Sequence, residues 1–334
     1  MKYLITGVAG FIGSAVAKEL TERGNYVVGI DNLNDYYDVN LKLARLNWIK
    51  HQNFTFKEID LNDKFLLDHL FETESFDRVI NLGAQAGVRY SIENPHAYID
   101  SNVVGYLNIL EGCRKTNVGH LIYASSSSVY GLNKKMPFRT SDTVDHPVSL
   151  YAATKKSNEL MSHCYSHLYT IPTTGLRFFT VYGPWGRPDM APYIFTKKIF
   201  EGDAIDVNNY GDMWRDFTYI DDVVEGICRV SDLIPTKNDD WTVENGSVAS
   251  SSAPYSVYNI GNGKPVNLLD FIFELEKNIG VQANKNYRGM QAGDVHKTFS
   301  ETNDLFKAIN YSPKISIEQG VFEFVNWYSK YIKR

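Results

Sequence analysis

A short apolar strand that runs into three evenly spaced glycines, then a helix, a second strand and an acid, leaves few folds open. Tyr3-Leu4-Ile5-Thr6 leads into Gly7-Val8-Ala9-Gly10-Phe11-Ile12-Gly13, and a helical pattern follows through Ala17, Leu20 and Arg23. Glycines three apart permit a tight turn, close approach of backbone to a pyrophosphate, and close packing of helix on strand. The free amides and dipole at the helix start then favour phosphate. Asn25 to Ile30 reads as a second strand ending at Asp31. That acid falls about twenty residues past the glycines, where a carboxylate meets the adenosine ribose hydroxyls and repels a 2′-phosphate. The expected ligand is therefore NAD in preference to NADP. Its expected contacts are Gly7, Gly10, Phe11, Ile12, Gly13, Asp31 and the adjoining Asn32.

Strand and helix patterns keep alternating. Residues 32–53 are polar, with Leu41, Leu43 and Leu46 at helical spacing, and are expected to form a surface elaboration. Phe54 to Ile59 is a third strand ending in Asp60-Leu61, where Asp60 could accept a bond from the adenine amino group or cap the next helix. A fourth strand, Phe76 to Leu82, delivers Gly83-Ala84-Gln85-Ala86-Gly87-Val88-Arg89. Leu82 and Ala84 stand where backbone approaches a cofactor. Arg89 is either a phosphate or substrate ligand or a surface charge. A helix from about Pro95 to Lys115 precedes a fifth strand, His120 to Ala124, and the serines 125–128. Thr174 to Phe179 is a sixth strand. The alternation implies an α/β fold, a doubly wound parallel sheet of Rossmann type. Pro and Gly density after Phe178 opens a smaller α/β lobe. The expected division is residues 1–178, with 216–235 and 255–262 returning to that domain, and the remainder of 179–334 as the lobe. Tyr258 to Gly261 is expected to be the last short strand, and an aspartate of Asp221-Asp222 to cap the helix it opens.

The chemistry is expected where Ser125-Ser126-Ser127-Ser128-Val129-Tyr130-Gly131 meets Tyr151-Ala152-Ala153-Thr154-Lys155. Tyr and Lys four apart share a helix face, so an ammonium could lower the phenol's pKa and make it a usable base. A serine at the end of the neighbouring strand could relay a proton to a substrate alcohol. The stripe Leu160, Met161, Cys164 and Leu168 reads as packing or a dimer face.

Composition narrows the partners. A net charge of -5 over 334 residues lacks the basic face that nucleic acid requires. No apolar run approaches a membrane span, and the start of the chain reads as a strand and not as a signal peptide. Cys113, Cys164 and Cys228 suit neither a disulfide framework nor a metal site, which suggests reduced thiols and a cytoplasmic protein.

These strings together with Arg215-Asp216-Phe217-Thr218-Tyr219-Ile220-Asp221-Asp222 resemble the extended short-chain dehydrogenase/reductases that act on nucleotide sugars. Three longer strings resemble the UDP-glucuronate 4-epimerases among them. They begin at Ala84 (Ala-Gln-Ala-Gly-Val-Arg-Tyr-Ser), Gly183 (Gly-Pro-Trp-Gly-Arg-Pro-Asp-Met) and Met290 (Met-Gln-Ala-Gly-Asp-Val). The resemblance implies retained NAD, a homodimer, Ser126 as relay with Ser127 still open, Tyr151 as base, and Lys155 on the nicotinamide ribose. It also implies Arg215 and Arg288 as clamps on the UDP phosphates. Gly83 departs from the alanine more usual there, which could alter cofactor packing. The reaction implied is epimerisation at carbon 4 of UDP-glucuronate through a 4-keto sugar. Decarboxylation of the same substrate, epimerisation of another UDP-hexose, and a non-catalytic NAD-binding regulator stay open. A uronic acid also needs a partner for its carboxylate, and Thr180, Arg187, Ser127 and Ser128 are the candidates around the crevice mouth.

Overall fold

The computed structural model describes residues 1–291 and 295–333. In chain order the first half contains β1 (Lys2–Thr6), α1 (Phe11–Glu22), β2 (Tyr26–Asp31), α2 (Val39–Ile49), β3 (Phe54–Glu58), α3 (Lys64–Glu74) and β4 (Arg78–Asn81). Then come α4 (Tyr90–Glu93), α5 (Pro95–Ile99), α6 (Gly105–Thr116), β5 (Leu121–Ser126), α7 (Leu150–Tyr169) and β6 (Thr173–Phe178). The second half adds β7 (Thr180–Tyr182), α8 (Ala191–Glu201), β8 (Ile205–Val207), β9 (Trp214–Tyr219), α9 (Ile220–Asp232) and β10 (Tyr255–Ile260). It closes with β11 (Pro265–Asn267), α10 (Leu268–Ile279), β12 (Lys285–Tyr287), α11 (Asn303–Ile309) and α12 (Ile317–Tyr331).

Seven strands form one parallel sheet in the order β10-β6-β5-β4-β1-β2-β3. Helices cover both faces, so its inner strands are buried along their length, β6 wholly and β1 nearly so. Strand order reverses direction between β1 and β4. At such a switch the loops leave the carboxyl ends to opposite sides and open a crevice. β10 closes the sheet beside β6, and α9 lies on α1. β9, however, pairs with β7 and β11 in a small separate sheet, so residues 216–219 go with that sheet and not with the large one. One apolar cluster runs from Tyr3 and Ile5 in β1 to Phe324 and Tyr328 in α12.

Three local expectations change. β11 and β12 follow β10, so Tyr258–Gly261 does not hold the last strand; both additions are three-residue strands too short to show a period. Asp222 does not cap α9. It accepts from the Tyr311 hydroxyl and the backbone N–H groups of Lys314 and Ile315, fastening a distant loop instead. Residues 32–53 are not a surface elaboration, because α2 buries Leu41, Lys42, Arg45 and Ile49 and leaves Leu43 exposed. Of the three leucines, Leu41 is buried and Leu46 packs against the core, and two long cations, Lys42 and Arg45, share the buried side with them.

Candidate active site

A cleft of about 380 Å³ opens at the carboxyl ends of β1, β2, β4 and β5. Its floor is the glycine turn. Gly7 lies at φ 67, and a Cβ there would stand 2.7 Å from the Cα of Gly83. A Cβ on Gly13 would come within 2.2 Å of the Gly7 carbonyl oxygen, so only glycine lets α1 start this close to the turn. Gly10, at the N-cap of α1, offers no side-chain cap. The first amides of α1 are therefore left for an anion. Gly7, Gly10, Phe11, Ile12 and Gly13 all line the cleft, as do Asp31, Asn32, Asp60, Leu61, Leu82 and Ala84. Asp31 accepts from the backbone N–H groups of Ala9 and Leu33. Asp60 accepts from the Asn32 side chain at 2.6 Å and from the Asn62 amide, so it ties two strand ends together and does not cap α3, a place taken by Asp63. A glycine cradle, an uncapped helix start and an acid at the second strand end fit a dinucleotide.

The opposite wall carries the reactive groups. Ser149 caps α7 by accepting from the Ala152 amide, which sets the first turn that presents Tyr151. Tyr151, Lys155 and Ser126 all line the cleft. Desolvation in the cleft holds the Tyr151 phenol above its ordinary pKa, opposed by a hydrogen bond with Ser126 and by the charge of Arg187. This reverses the expected downward shift. Lys155 donates to the Ala124 carbonyl at 3.1 Å, and burial lowers its own pKa to about 8. Of the serines, Ser126 is the one whose hydroxyl opposes the upward shift of the Tyr151 phenol; it also donates to Ser128 at 3.1 Å. Ser127 and Ser128 line the same cleft.

Thr180 and Arg187 line the same cleft. Arg187 forms a two-point ion pair with Asp189, Nε to Oδ1 at 3.0 Å and Nη2 to Oδ2 at 2.5 Å. Arg89, Arg215 and Arg288 are not part of the cleft lining. Arg89 is exposed ahead of α4. Arg215 donates to the carbonyls of Trp214 and His296, and Arg288 pairs with Asp206 at 2.7 Å. Of the string begun at Met290, Ala292, Gly293 and Asp294 lie outside the described residues.

Several site residues escaped sequence reasoning. Arg45, fully buried, donates to the carbonyls of Ala9, Trp185 and Gly186 and to the Tyr37 hydroxyl. It thereby ties the glycine turn to the turn that bears Arg187. Trp185 sits at φ 65, an unusual backbone for a large residue, wedged against Trp48 and Trp327. Lys42 stands 3.8 Å from Asp31 and donates to Asn34. A single π-turn, Asp100–Val104, interrupts the run from α5 to α6 and places Asn102. Asn102 accepts from the Gln85 amide and donates to its carbonyl and to Thr154, locking the loop after β4 onto α7. Behind the wall, Glu159 receives two bonds from Arg177 and one from Ser125, all fully buried. Tyr130 and Asp216, from the family strings, serve the frame. Tyr130 donates to Asn259, and Asp216 holds the amides of Asn262, Gly263 and Ser300.

With this geometry, the comparisons are specific. Residues 4–324 match the profile of a family described as GDP-mannose 4,6 dehydratase. The chain belongs to that family. It is 48% identical over 337 residues to a probable UDP-glucuronate 4-epimerase of Rhizobium meliloti, covering 100% of this chain and 98% of the relative. It is 45% identical over 333 residues to UDP-glucuronate 4-epimerase 1 of Arabidopsis thaliana, covering 98% of this chain and 76% of that protein. Among solved structures, UDP-glucuronic acid 4-epimerase from Bacillus cereus, in complex with UDP-glucuronic acid and NAD, superposes with a TM-score of 0.85 at 30% identity. That match covers 99% of this chain and 100% of the other. Among the described residues no helix is long and apolar enough to cross a membrane, and no cluster of three His, Cys, Asp or Glu could hold a metal ion.

Proposed function

We propose that this chain interconverts UDP-glucuronate and UDP-galacturonate by transient oxidation at carbon 4. The observation that carries the reading is the convergence of the Ser126–Tyr151 pair, Lys155 and Arg187 on one cleft whose floor fits NAD. The relatives and the Bacillus cereus structure named for this reaction support it. NAD bound in the cleft supplies the hydride acceptor and returns the hydride. The glycine turn and α1 hold its pyrophosphate, and Asp31 holds the adenosine ribose. Lys155, which lines the same cleft, would hold the other ribose. Tyr151 takes the proton from the 4-hydroxyl and gives it back after the sugar has turned over, with Ser126 bridging phenol and alcohol. The charge of Arg187 opposes the raised pKa that burial imposes on the phenol.

Arg187, Thr180, Ser127 and Ser128 bind the sugar carboxylate. Arg215 and Arg288 bind the diphosphate, about which the sugar rotates, and Arg89 makes a phosphate or substrate contact. The Arg288–Asp206 pair is solvent-exposed and contributes little, so exchanging Asp206 for a phosphate costs little. The 4,6-dehydratase chemistry in the family's description needs an acid after the relay residue to protonate a leaving hydroxyl. Ser127 and Ser128 stand there, and a serine is no such acid.

Two copies pair through Leu107 on α6 and Leu160 and Leu168 on α7, which leave their side chains exposed. The three free cysteines suit the reducing cytoplasm. Incubating purified protein with UDP-glucuronate and no added NAD, then separating the sugars, tests the function. UDP-galacturonate is expected; a UDP-pentose as main product, or no conversion with NAD supplied, overturns it.

A further inference from the structure

We infer that Asp189 and Tyr36 are positioning residues for carboxylate recognition, fixing Arg187 so that one edge of its guanidinium is taken and the other is presented to the cleft. The inference rests on the function proposed above. A guanidinium has two edges that can each engage a carboxylate with parallel N–H bonds. Both bonds to Asp189 use the Nε–Nη2 edge. The edge left for the cleft that Arg187 lines is the terminal one, Nη1 with the second hydrogen of Nη2. Serine and threonine hydroxyls from Ser127, Ser128 and Thr180 line the same cleft.

The pair is itself held. The Tyr36 hydroxyl donates to Asp189 Oδ2 at 3.2 Å. Tyr36 packs on Tyr90 with ring centroids 4.8 Å apart and passes over Gly87, where a Cβ would stand 2.8 Å from its hydroxyl. Gly87 has φ 101, so the close crossing and the backbone both call for glycine. From the other side Arg45 grips the carbonyls of Trp185 and Gly186, the two residues before Arg187. Asp189 also offsets the charge of Arg187. The site therefore recognises the acid through a directed two-point bond and not through an unbalanced cation, and a neutral sugar finds that fork unfilled. Without Asp189 the arginine keeps its charge and loses its aim.

The test uses NAD-loaded protein and measures dissociation constants for UDP-glucuronate and UDP-glucose by calorimetry, with kcat and KM for the acid alongside. Asp189→Asn should lower the acid-over-neutral affinity ratio by about tenfold, the scale of a lost charge-assisted contact, and raise KM more than it lowers kcat. Tyr36→Phe should shift the ratio the same way by less, and Asp189→Glu should restore part of it. Equal weakening of both ligands would reduce Asp189 to a structural role and overturn the inference. Tighter acid binding in Asp189→Asn would make Asp189 a competitor of the substrate and overturn it too. Wild type that epimerises UDP-glucuronate yet binds UDP-glucose as tightly refutes the inference and leaves the function standing. Wild type that does not convert UDP-glucuronate refutes both.

Discussion

The two halves of the cleft are held by different physics. The glycine floor of the cofactor half is shaped by contact, with the Asp31–Lys42 pair only at its edge: Gly7 against Gly83, Gly13 against the Gly7 carbonyl, and uncharged bonds from Thr6 to Asn81 and from the Gly83 amide to Thr6. The substrate half is held by charge. Glu159 and Arg177 form a dry ion pair behind the serine strand, at 3% and 2% exposure, while Arg187 and Asp189 form a wetter one on the cleft itself, at 24% and 25%. Burial pushes the Glu159 carboxyl up, yet Arg177 and Ser125 outweigh it and hold the carboxyl below its usual range. A dry pair cannot exchange partners without stranding a charge, so it suits a frame. A wetter one can be tuned by a ligand, so it suits recognition. The cofactor half should therefore answer to added volume, and the substrate half to charge and pH.

The largest effect tests the substrate half at its reactive group. Tyr151→Phe removes one hydroxyl and no packing volume, so kcat should fall on the order of a hundredfold to ten-thousandfold while UDP-sugar and NAD still bind. Stopped-time product assays with calorimetric binding measure both. A variant keeping more than about a tenth of the wild-type rate would assign the proton to another group.

Next in size is Lys155, where the two halves meet. Its folded pKa of about 8 lies below the ordinary 10.5, so the unfolded chain binds more protons between those values and stability rises with pH across that window. The cost of burying the ammonium is full below pH 8 and is relieved towards 10.5. Lys155→Met, measured without nucleotide, should be the more stable protein at pH 7 by at most about 3 kcal/mol, and that advantage should shrink by pH 10. Urea midpoints of both proteins at the two pH values decide it. An advantage that does not shrink would mean Lys155 is solvated in the folded state.

What could be read from the sequence tracks how local the cause is. The glycine turn, Asp31 and the Tyr151–Lys155 spacing depend on neighbours within one βαβ unit or one helix turn, and the sheet follows from their alternation. Arg45 contacts Trp185 across 140 positions and Tyr36 contacts Asp189 across 153, so no window contains both partners. The direction of the Tyr151 shift was misread for a related reason. Spacing supplies the ammonium's neighbourhood, but desolvation depends on everything packed around the phenol, and Lys155 had a carbonyl to bind instead. Arg215 and Arg288 were read from resemblance alone, and the structure leaves them beside the cleft with other partners.

The smallest effect belongs to the cofactor half, at Gly83→Ala. Gly83 is not among the positive-φ glycines, so alanine meets no backbone strain and its smaller unfolded-state entropy favours folding by about 0.4–1 kcal/mol. Against that, the new Cβ would stand 2.9 Å from Thr6 Oγ1, 3.0 Å from the Gly7 nitrogen and 3.2 Å from Leu61 Cδ1. The leucine methyl can yield. The Gly7 amide is backbone of the glycine turn and cannot yield without opening it, and overpacking of this kind costs about 1–3 kcal/mol. The balance is a net loss of about 1 kcal/mol. Because no charge is involved, the loss should be the same at pH 7 and pH 10, unlike that at Lys155, and it should come with faster loss of NAD on gel filtration. A pH-dependent change, or a stabilised variant that keeps its nucleotide, would show that the floor of the cleft is not set by contact.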